Sequence, residues 1–243
     1  MHIAVLGAAG WVGRAVLENL AVGHQLRAFD RGPEAWEKAG PWEGEIVHGD
    51  IASYQDVEQA LDGVDSILHA AVHSGGHGPD DEAPFRINLK GLWNTLEVAR
   101  LKGIKRVVHI GSCQVEHPDG VFFESDVRRP DGSLYAITKR LQEEMCRQFH
   151  EAFGLSIIVL RPCSIVDTRL GIGKNGQSLS GYSTGWVCRH DLAQACRLAL
   201  ENTAVDFDIF HTAGPPEAAQ ACNVERGQQI LGLEYKGAYQ RFR

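Results

Sequence analysis

The sequence predicts an α/β protein, a doubly wound parallel sheet with a small C-terminal lobe. Three observations carry this. Short strand-like apolar runs alternate with longer runs of helical spacing as far as Arg161. A glycine-rich turn, Gly7-Ala-Ala-Gly10-Trp-Val-Gly13, separates the first apolar run from the first helix. A carboxylate, Asp30, closes the second apolar run.

The elements follow in order. His2 to Leu6 is a short apolar run that stops at Gly7, so it reads as a strand. Trp11 to Val22 carries Val12, Ala15, Val16 and Leu20 as a helical stripe. Gln25 to Phe29 and Glu45 to His48 are the next strands, and residues 54–62 are helical. Ser66 to Ala71 is the fourth strand, Pro84 to Leu101 a long helix, and Arg106 to Ile110 the fifth strand. Ser133 to Phe153 is a second long helix and Leu155 to Leu160 the sixth strand. Strand, helix, strand, repeated, means parallel strands joined by crossover helices, a Rossmann-type arrangement. Residues 1–161 are therefore read as a dinucleotide-binding domain. Residues 162–243 are read as a small substrate-binding lobe integrated with it. Within that lobe, 167–185 is rich in Gly and Ser and reads as a long loop, a frequent place for function. A helix at His190 to Glu201, a strand at Asp206 to His211 and a short helix near Asn223 to Leu231 complete the chain.

Composition sets limits. A chain of 243 residues with 44% hydrophobic residues builds a normal core without disulfides or metals. A net charge of -7, with no run of Lys and Arg, argues against nucleic acid, whose phosphates need a basic face. The six cysteines form no CxxC pair and read as reduced thiols. No stretch of about 18 apolar residues offers a membrane span. The first residues show no signal-peptide pattern, so a cytoplasmic location is expected.

The glycine turn predicts phosphate binding. One glycine permits the tight turn, one lets backbone approach a pyrophosphate, and Gly13 lets helix and strand pack closely. The helix N-terminus adds free N–H groups and positive dipole. Asp30 stands where a carboxylate takes the adenosine ribose hydroxyls and repels a 2′-phosphate. NAD is therefore expected over NADP, with Arg14 and Arg31 as the residues that would rescue NADP. Tyr135 and Lys139, at i and i+4 near a helix start, share one face. An ammonium beside the phenol is expected to lower its pKa and prime proton exchange with a substrate hydroxyl. Ser112, just beyond the fifth strand, is placed to polarise the same oxygen.

Together these residues resemble the short-chain dehydrogenase/reductase superfamily, in its extended, epimerase/dehydratase-like branch. The matching pieces also include Gly49-Asp50-Ile51, His69-Ala70-Ala71, Asn88, Arg161-Pro162 and His190-Asp191-Leu192-Ala193. The resemblance implies a catalytic trio of Ser112, Tyr135 and Lys139. It implies cofactor contacts from Gly7, Ala9, Gly10, Trp11, Val12, Gly13, Asp30, Arg31, Asp50, Ile51, His69, Ala70, Ala71 and Asn88. Tyr135, Lys139, Pro162 and Cys163 would join them near the nicotinamide. Asp191 would organise a loop and helix junction. The two long helices would pair copies into a homodimer.

Within the branch the chain is similar to the uronate dehydrogenases, through Arg129-Pro-Asp-Gly-Ser-Leu-Tyr135 and Ser183-Thr-Gly-Trp186. That implies a carbohydrate-like substrate near His73, Ser74, Cys113, Gln114, Ser164 and Arg169. The chain departs from them in two places. Cys113 and Gln114 stand where an Asn-His pair is usual. The stretch Gln177 to Tyr182 lacks the arginine that grips a carboxylate, for which Arg169 or Lys174 is the expected substitute.

His69, His73 and His77 recur every four residues, but the glycines and proline that follow break any helix, so no metal is expected. Trp186 reads as a core anchor. An NAD-dependent dehydrogenase is the first reading, a nucleotide-sugar epimerase or dehydratase the second and a non-enzymatic cofactor binder the third.

Overall fold

The computed structural model describes residues 1–75, 81–115, 132–220 and 222–243. His77 and Arg129 to Asp131 lie outside the described residues. Ten strands and seven α-helices are present among the described residues: β1 (His2–Leu6), α1 (Trp11–Leu20), β2 (Gln25–Asp30), α2 (Pro33–Ala39), β3 (Glu45–His48), α3 (Tyr54–Ala60), β4 (Ser66–His69), α4 (Gly91–Lys102), β5 (Arg106–Ile110), α5 (Leu134–Phe153), β6 (Ile157–Pro162), β7 (Ser164–Asp167), β8 (Ile172–Gly173), β9 (Trp186–Cys188), α6 (Arg189–Glu201), β10 (Phe207–Thr212) and α7 (Val224–Leu231). Seven strands form one parallel sheet in the order β10-β6-β5-β4-β1-β2-β3. The order reverses beside β1, and in such sheets ligands bind at the carboxyl ends of the strands next to that switch.

The strands are short apolar runs because both faces are covered. Ile3, Val5, Leu68, Val108 and Leu160 point to one face, with Val16 and Leu17 of α1 and Leu192 and Cys196 of α6. Ala4, Leu6, Ile67, Val107 and Val159 point to the other, with Leu92 and Leu96 of α4 and Cys146 and Phe149 of α5.

The structure adds or moves several elements. α2 begins on Pro33, a favoured first helical residue, and escapes a reading based on periodicity alone because it is one short turn pair. The long helix expected from Pro84 opens as a π-helical segment, Phe85–Lys90, before α4. The extra residue in that wide turn turns Asn88 into the interior, where it is fully buried. The boundary expected at residue 161 does not separate two sheets. β10 runs parallel to β6 in full register, Phe207 against Ile157 through Thr212 against Pro162. What stands apart is a small sheet, β8-β7-β9, whose core is Val166, Trp186, Cys188 and Tyr239. Trp186 is thus a core anchor, and the loop 167–185 contains β8. No helix among the described residues is long and apolar enough to cross a membrane.

Candidate active site

The glycine turn sits at the carboxyl end of β1. Gly7 has φ +84°, a left-handed conformation, and a Cβ there would lie 2.6 Å from the Ala71 backbone nitrogen. A Cβ on Gly13 would meet the Gly7 carbonyl oxygen at 2.2 Å, so helix α1 can approach β1 this closely only with glycine. Gly10 is the N-cap of α1, and no side chain caps the helix there. The first N–H groups of α1 are left for an anion. Asp30 ends β2 and leans over this turn. Its Oδ2 accepts the Ala9 N–H at 2.9 Å and its Oδ1 accepts the Arg31 N–H at 2.8 Å. Uncapped N–H groups beside an oriented carboxylate fit the pyrophosphate and ribose of a dinucleotide. Arg14 is diverted from any such role: its guanidinium lies 5.9 Å from the ring centres of both Trp36 and Trp42 and donates to the Pro41 carbonyl. Trp11, in the turn itself, is covered by Arg189 at 4.4 Å. The Arg31 side chain is exposed.

Further along the edge, Asp50 accepts from Ala52 N and from Arg86, whose guanidinium lies 2.7 Å away. Ile51 is buried, and its side chain fills the space a Cβ on Gly91 would need. Ala70 continues β4 by donating to Leu6 O at 2.8 Å, which places Ala70 and Ala71 beside the glycine turn. Asn88 Oδ1 accepts the His73 N–H at 2.8 Å, while its Nδ2 donates to His73 O and to Thr138 Oγ1. Asn88 therefore ties the loop after β4 to α5.

The expected trio comes together. Ser112 follows β5 and is buried, and a hydrogen bond joins Ser112 to the Tyr135 phenol. Lys139 is buried one helical turn after Tyr135, its Nζ 6.0 Å from the phenol ring centre and donating to Ile110 O at 2.8 Å. Ser133 starts the helix that carries both, its hydroxyl accepting the Ala136 N–H at 3.2 Å.

The expected pKa relationship is corrected. Burial pushes the Tyr135 phenol above its ordinary value, and the Ser112 hydrogen bond pulls it back only in part. The Lys139 amine is turned to the Ile110 carbonyl. Burial instead pushes Lys139 itself down to about 8, against the opposing pull of Glu143. Glu143 is held by Arg161 through two bonds, at 2.8 and 2.6 Å.

Behind Lys139 lies a group the sequence did not single out. His109 on β5 stands in register with His69 on β4, and their Nδ1 atoms are 3.2 Å apart. Both rings are fully buried. Burial and then Lys139 push His69 down to about 3, and the same causes push His109 well down. The His69 ring is therefore held in an interior pair with His109. Gln142, one turn past Lys139, donates to Asn88 O at 2.7 Å and closes the network.

The substrate-side expectations divide. His73, Ser74, Cys113 and Gln114 lie on the loops that follow β4 and β5, with Cys113 buried and Gln114 N donating to Ser112 Oγ. Cys163 and exposed Ser164 adjoin at the start of β7, where Pro162 ends β6. Lys174 reaches across to Ser74, its Nζ 3.2 Å from the hydroxyl. Arg169 does not come to this site. It lines a separate cleft with His190, Asp191, Lys236 and Arg241, because Asp167 accepts the Arg169 and Leu170 N–H groups and turns the chain away. Asp191 organises that region, accepting from Lys236 N, Gly237 N and Tyr239 Oη. His73 Nε2 lies 3.6 Å from Asp81, and no cluster of three metal-ligating side chains occurs among the described residues.

Residues 3–179 match the NAD dependent epimerase/dehydratase family. A uronate dehydrogenase of Pseudomonas putida is 30% identical over 222 residues, spanning 87% of this chain and 76% of that protein. A variant of uronate dehydrogenase from Agrobacterium tumefaciens, solved in complex with NAD, superposes with a TM-score of 0.77 at 25% identity, over 100% of this chain and 87% of that one. A UDP-glucose 4-epimerase of Brucella ovis, also in complex with NAD, gives 0.76 at 18% identity over 99% and 98%, a likeness of fold.

Proposed function

Because the chain belongs to the NAD dependent epimerase/dehydratase family, we propose that it is an NAD-dependent oxidoreductase acting on a hydroxyl of a sugar acid. The observation that carries this reading is the convergence of Ser112, Tyr135 and buried Lys139 at the carboxyl end of β5, beside a turn fitted to a dinucleotide. When bound, NAD supplies the hydride acceptor for the carbinol carbon. The chain's own residues do the rest. Asp30 and the uncapped start of α1 hold the adenosine and pyrophosphate side. Ser112 fixes the substrate oxygen and the Tyr135 Oη together. Tyr135 exchanges the hydroxyl proton, and Lys139, near 8, is the neighbouring group that changes protonation close to working pH. Lys174 and Ser74 support recognition of an anionic or hydroxyl-rich end of the substrate. Exposed Trp93, Ile137 and Leu141 on α4 and α5 support pairing of two copies through these helices.

The test is NADH absorbance with NAD and a panel of uronates, aldoses and polyols. Formation of NADH with a uronate is the expected result. Sugar interconversion without NADH would instead assign epimerase chemistry. Tyr135→Phe should lower kcat by about 10²–10⁴-fold and leave NAD affinity within a factor of two or so. Lys174→Ala should raise KM for a uronate more than for the matching aldose.

A further inference from the structure

The cleft that captured Arg169 has no part in the reading above. It has a volume of about 130 Å³ and is formed by Thr168 and Arg169 after β7, by the start of α6, and by residues 236–241. That is room for a few water molecules, and far below what a sugar nucleotide needs. The lining carries three fixed cations, Arg169, Lys236 and Arg241, against one carboxylate, Asp191. Asp191 is already saturated, by two backbone N–H groups at 3.0 and 2.9 Å and the Tyr239 hydroxyl at 2.6 Å. None of the three cations forms an ion pair among the described residues.

Two further features adjoin the cleft. Thr168 is 1% exposed, and its hydroxyl has no hydrogen-bond partner among the described residues. A buried hydroxyl left unpaired is costly, and Thr168 is among the residues that line the cleft. The second feature is α6, a helix of 13 residues whose N-cap, Cys188, supplies no side-chain bond. Its first turn faces the same cleft. His190 adds a ring held below its ordinary value by burial and then by Arg169 and Arg189. Its other charged neighbours are Asp167 at 3.4 Å and Glu18 at 4.0 Å.

We infer that this cleft is a second binding site, for a small dianionic oxyanion of the phosphate class. Three cations against one carboxylate leave two positive charges, which match a dianion, and the volume admits a tetrahedral oxyanion. The ion would join the β7 turn, the start of α6 and the C-terminal segment, which otherwise meet through Asp191. The site is independent of the dehydrogenase reading.

The experiment is thermal unfolding of the full chain with rising phosphate or sulfate, against nitrate at matched ionic strength. The expected result is a saturable rise in Tm with the dianions and none with nitrate, since a ligand that binds only the folded state stabilises it by mass action. Arg169→Ala with Lys236→Ala, both exposed, should weaken the apparent affinity at least tenfold. Thr168→Val should weaken it severalfold, and Arg226→Ala, whose side chain pairs with Asp208 on another surface, should not change it. Tighter binding of glycerol 3-phosphate than of phosphate would identify an ester as the natural ligand, and the reverse order the free ion. An unsaturable rise, or one that survives the double substitution, would overturn the assignment. So would loss of the effect when NAD is added, because the ion would then be in the glycine turn.

Discussion

The two faces of the central sheet are built on different principles. The face under α1 and α6 is closed by aliphatic side chains up to the carboxyl ends of the strands, with Leu68, Ile110 and Leu160 at the last positions. Its buried Arg106 lies at the opposite end and is satisfied by the carbonyls of Asn202 and Val205 at 2.6 and 2.8 Å. The face under α4 and α5 is aliphatic only up to Ile67, Val107 and Val159. Beyond them the strands end in His69, His109 and Arg161, opposed by Lys139, Gln142 and Glu143 of α5. One face is spent on stability. The other gives up apolar contact at the edge where ligands bind, and each buried polar group there needs a partner.

The sharpest way to break this comparison is to remove one partner of a buried pair. Arg161→Met strands the Glu143 carboxylate and should cost about 3–5 kcal/mol in urea unfolding. Arg161→Met with Glu143→Leu should recover most of that, since the stranded carboxylate is gone and Lys139, which Glu143 helps to keep charged, can shed its proton. If the double variant is no more stable than the single one, the pair does more than balance charge. The matching cut on the aliphatic face is Leu17→Ala. Leu17 is fully buried, so the cavity should cost about 2–5 kcal/mol. The turnover of the protein that stays folded should not change. A fall in its kcat would show that the two faces are not separate in function.

The contrast also explains what could be read from the sequence. The glycine turn, Asp30 and the Tyr135–Lys139 spacing are local patterns, and local patterns survive in one dimension. The aliphatic face was legible through periodicity for the same reason. His109 was not, because it sits inside an apolar strand and gains meaning only from its register with His69. Gln142 and Glu143 lie three and four residues after Lys139 on the same helix, but they went unread because only their burial and their partners Asn88 and Arg161 give them a role. Arg169 and Lys174 share one loop, and the choice between them depends on how Asp167 caps the turn, a contact that no spacing rule contains. The Tyr135 pKa was misjudged because sequence shows neighbours and hides burial.

Protonation offers a milder test of the polar face. His69 stays neutral in the folded protein down to about 3, whereas an unfolded histidine takes a proton below about 6.5. His109 is shifted in the same direction. Between these values the unfolded chain binds more protons, so stability is full above about 6.5 and falls as pH drops through that window. At pH 5 the loss from His69 alone should be about 2 kcal/mol. Replacing the pair, His69→Leu with His109→Leu, should flatten the dependence of urea midpoint on pH between 7.5 and 5. An unchanged slope would place the acid sensitivity elsewhere.

The smallest expected effect separates the faces by function rather than by stability. Ser53 and Ser133 each cap a helix, accepting the N–H groups of Asp56 at 3.3 Å and Ala136 at 3.2 Å. Loss of the cap bond should cost about 1 kcal/mol in each Ser→Ala variant. The consequences differ because of what the first turn carries. Tyr135 is the second residue of α5 and is joined to Ser112. Fraying that turn moves the phenol relative to the serine, so Ser133→Ala should lower kcat severalfold with KM for NAD unchanged. The first turn of α3 carries no reacting group, so Ser53→Ala should leave kcat as it is. Equal kcat values for the two variants would mean that α5 is held at its start by packing and that the Ser133 bond does not set the position of Tyr135.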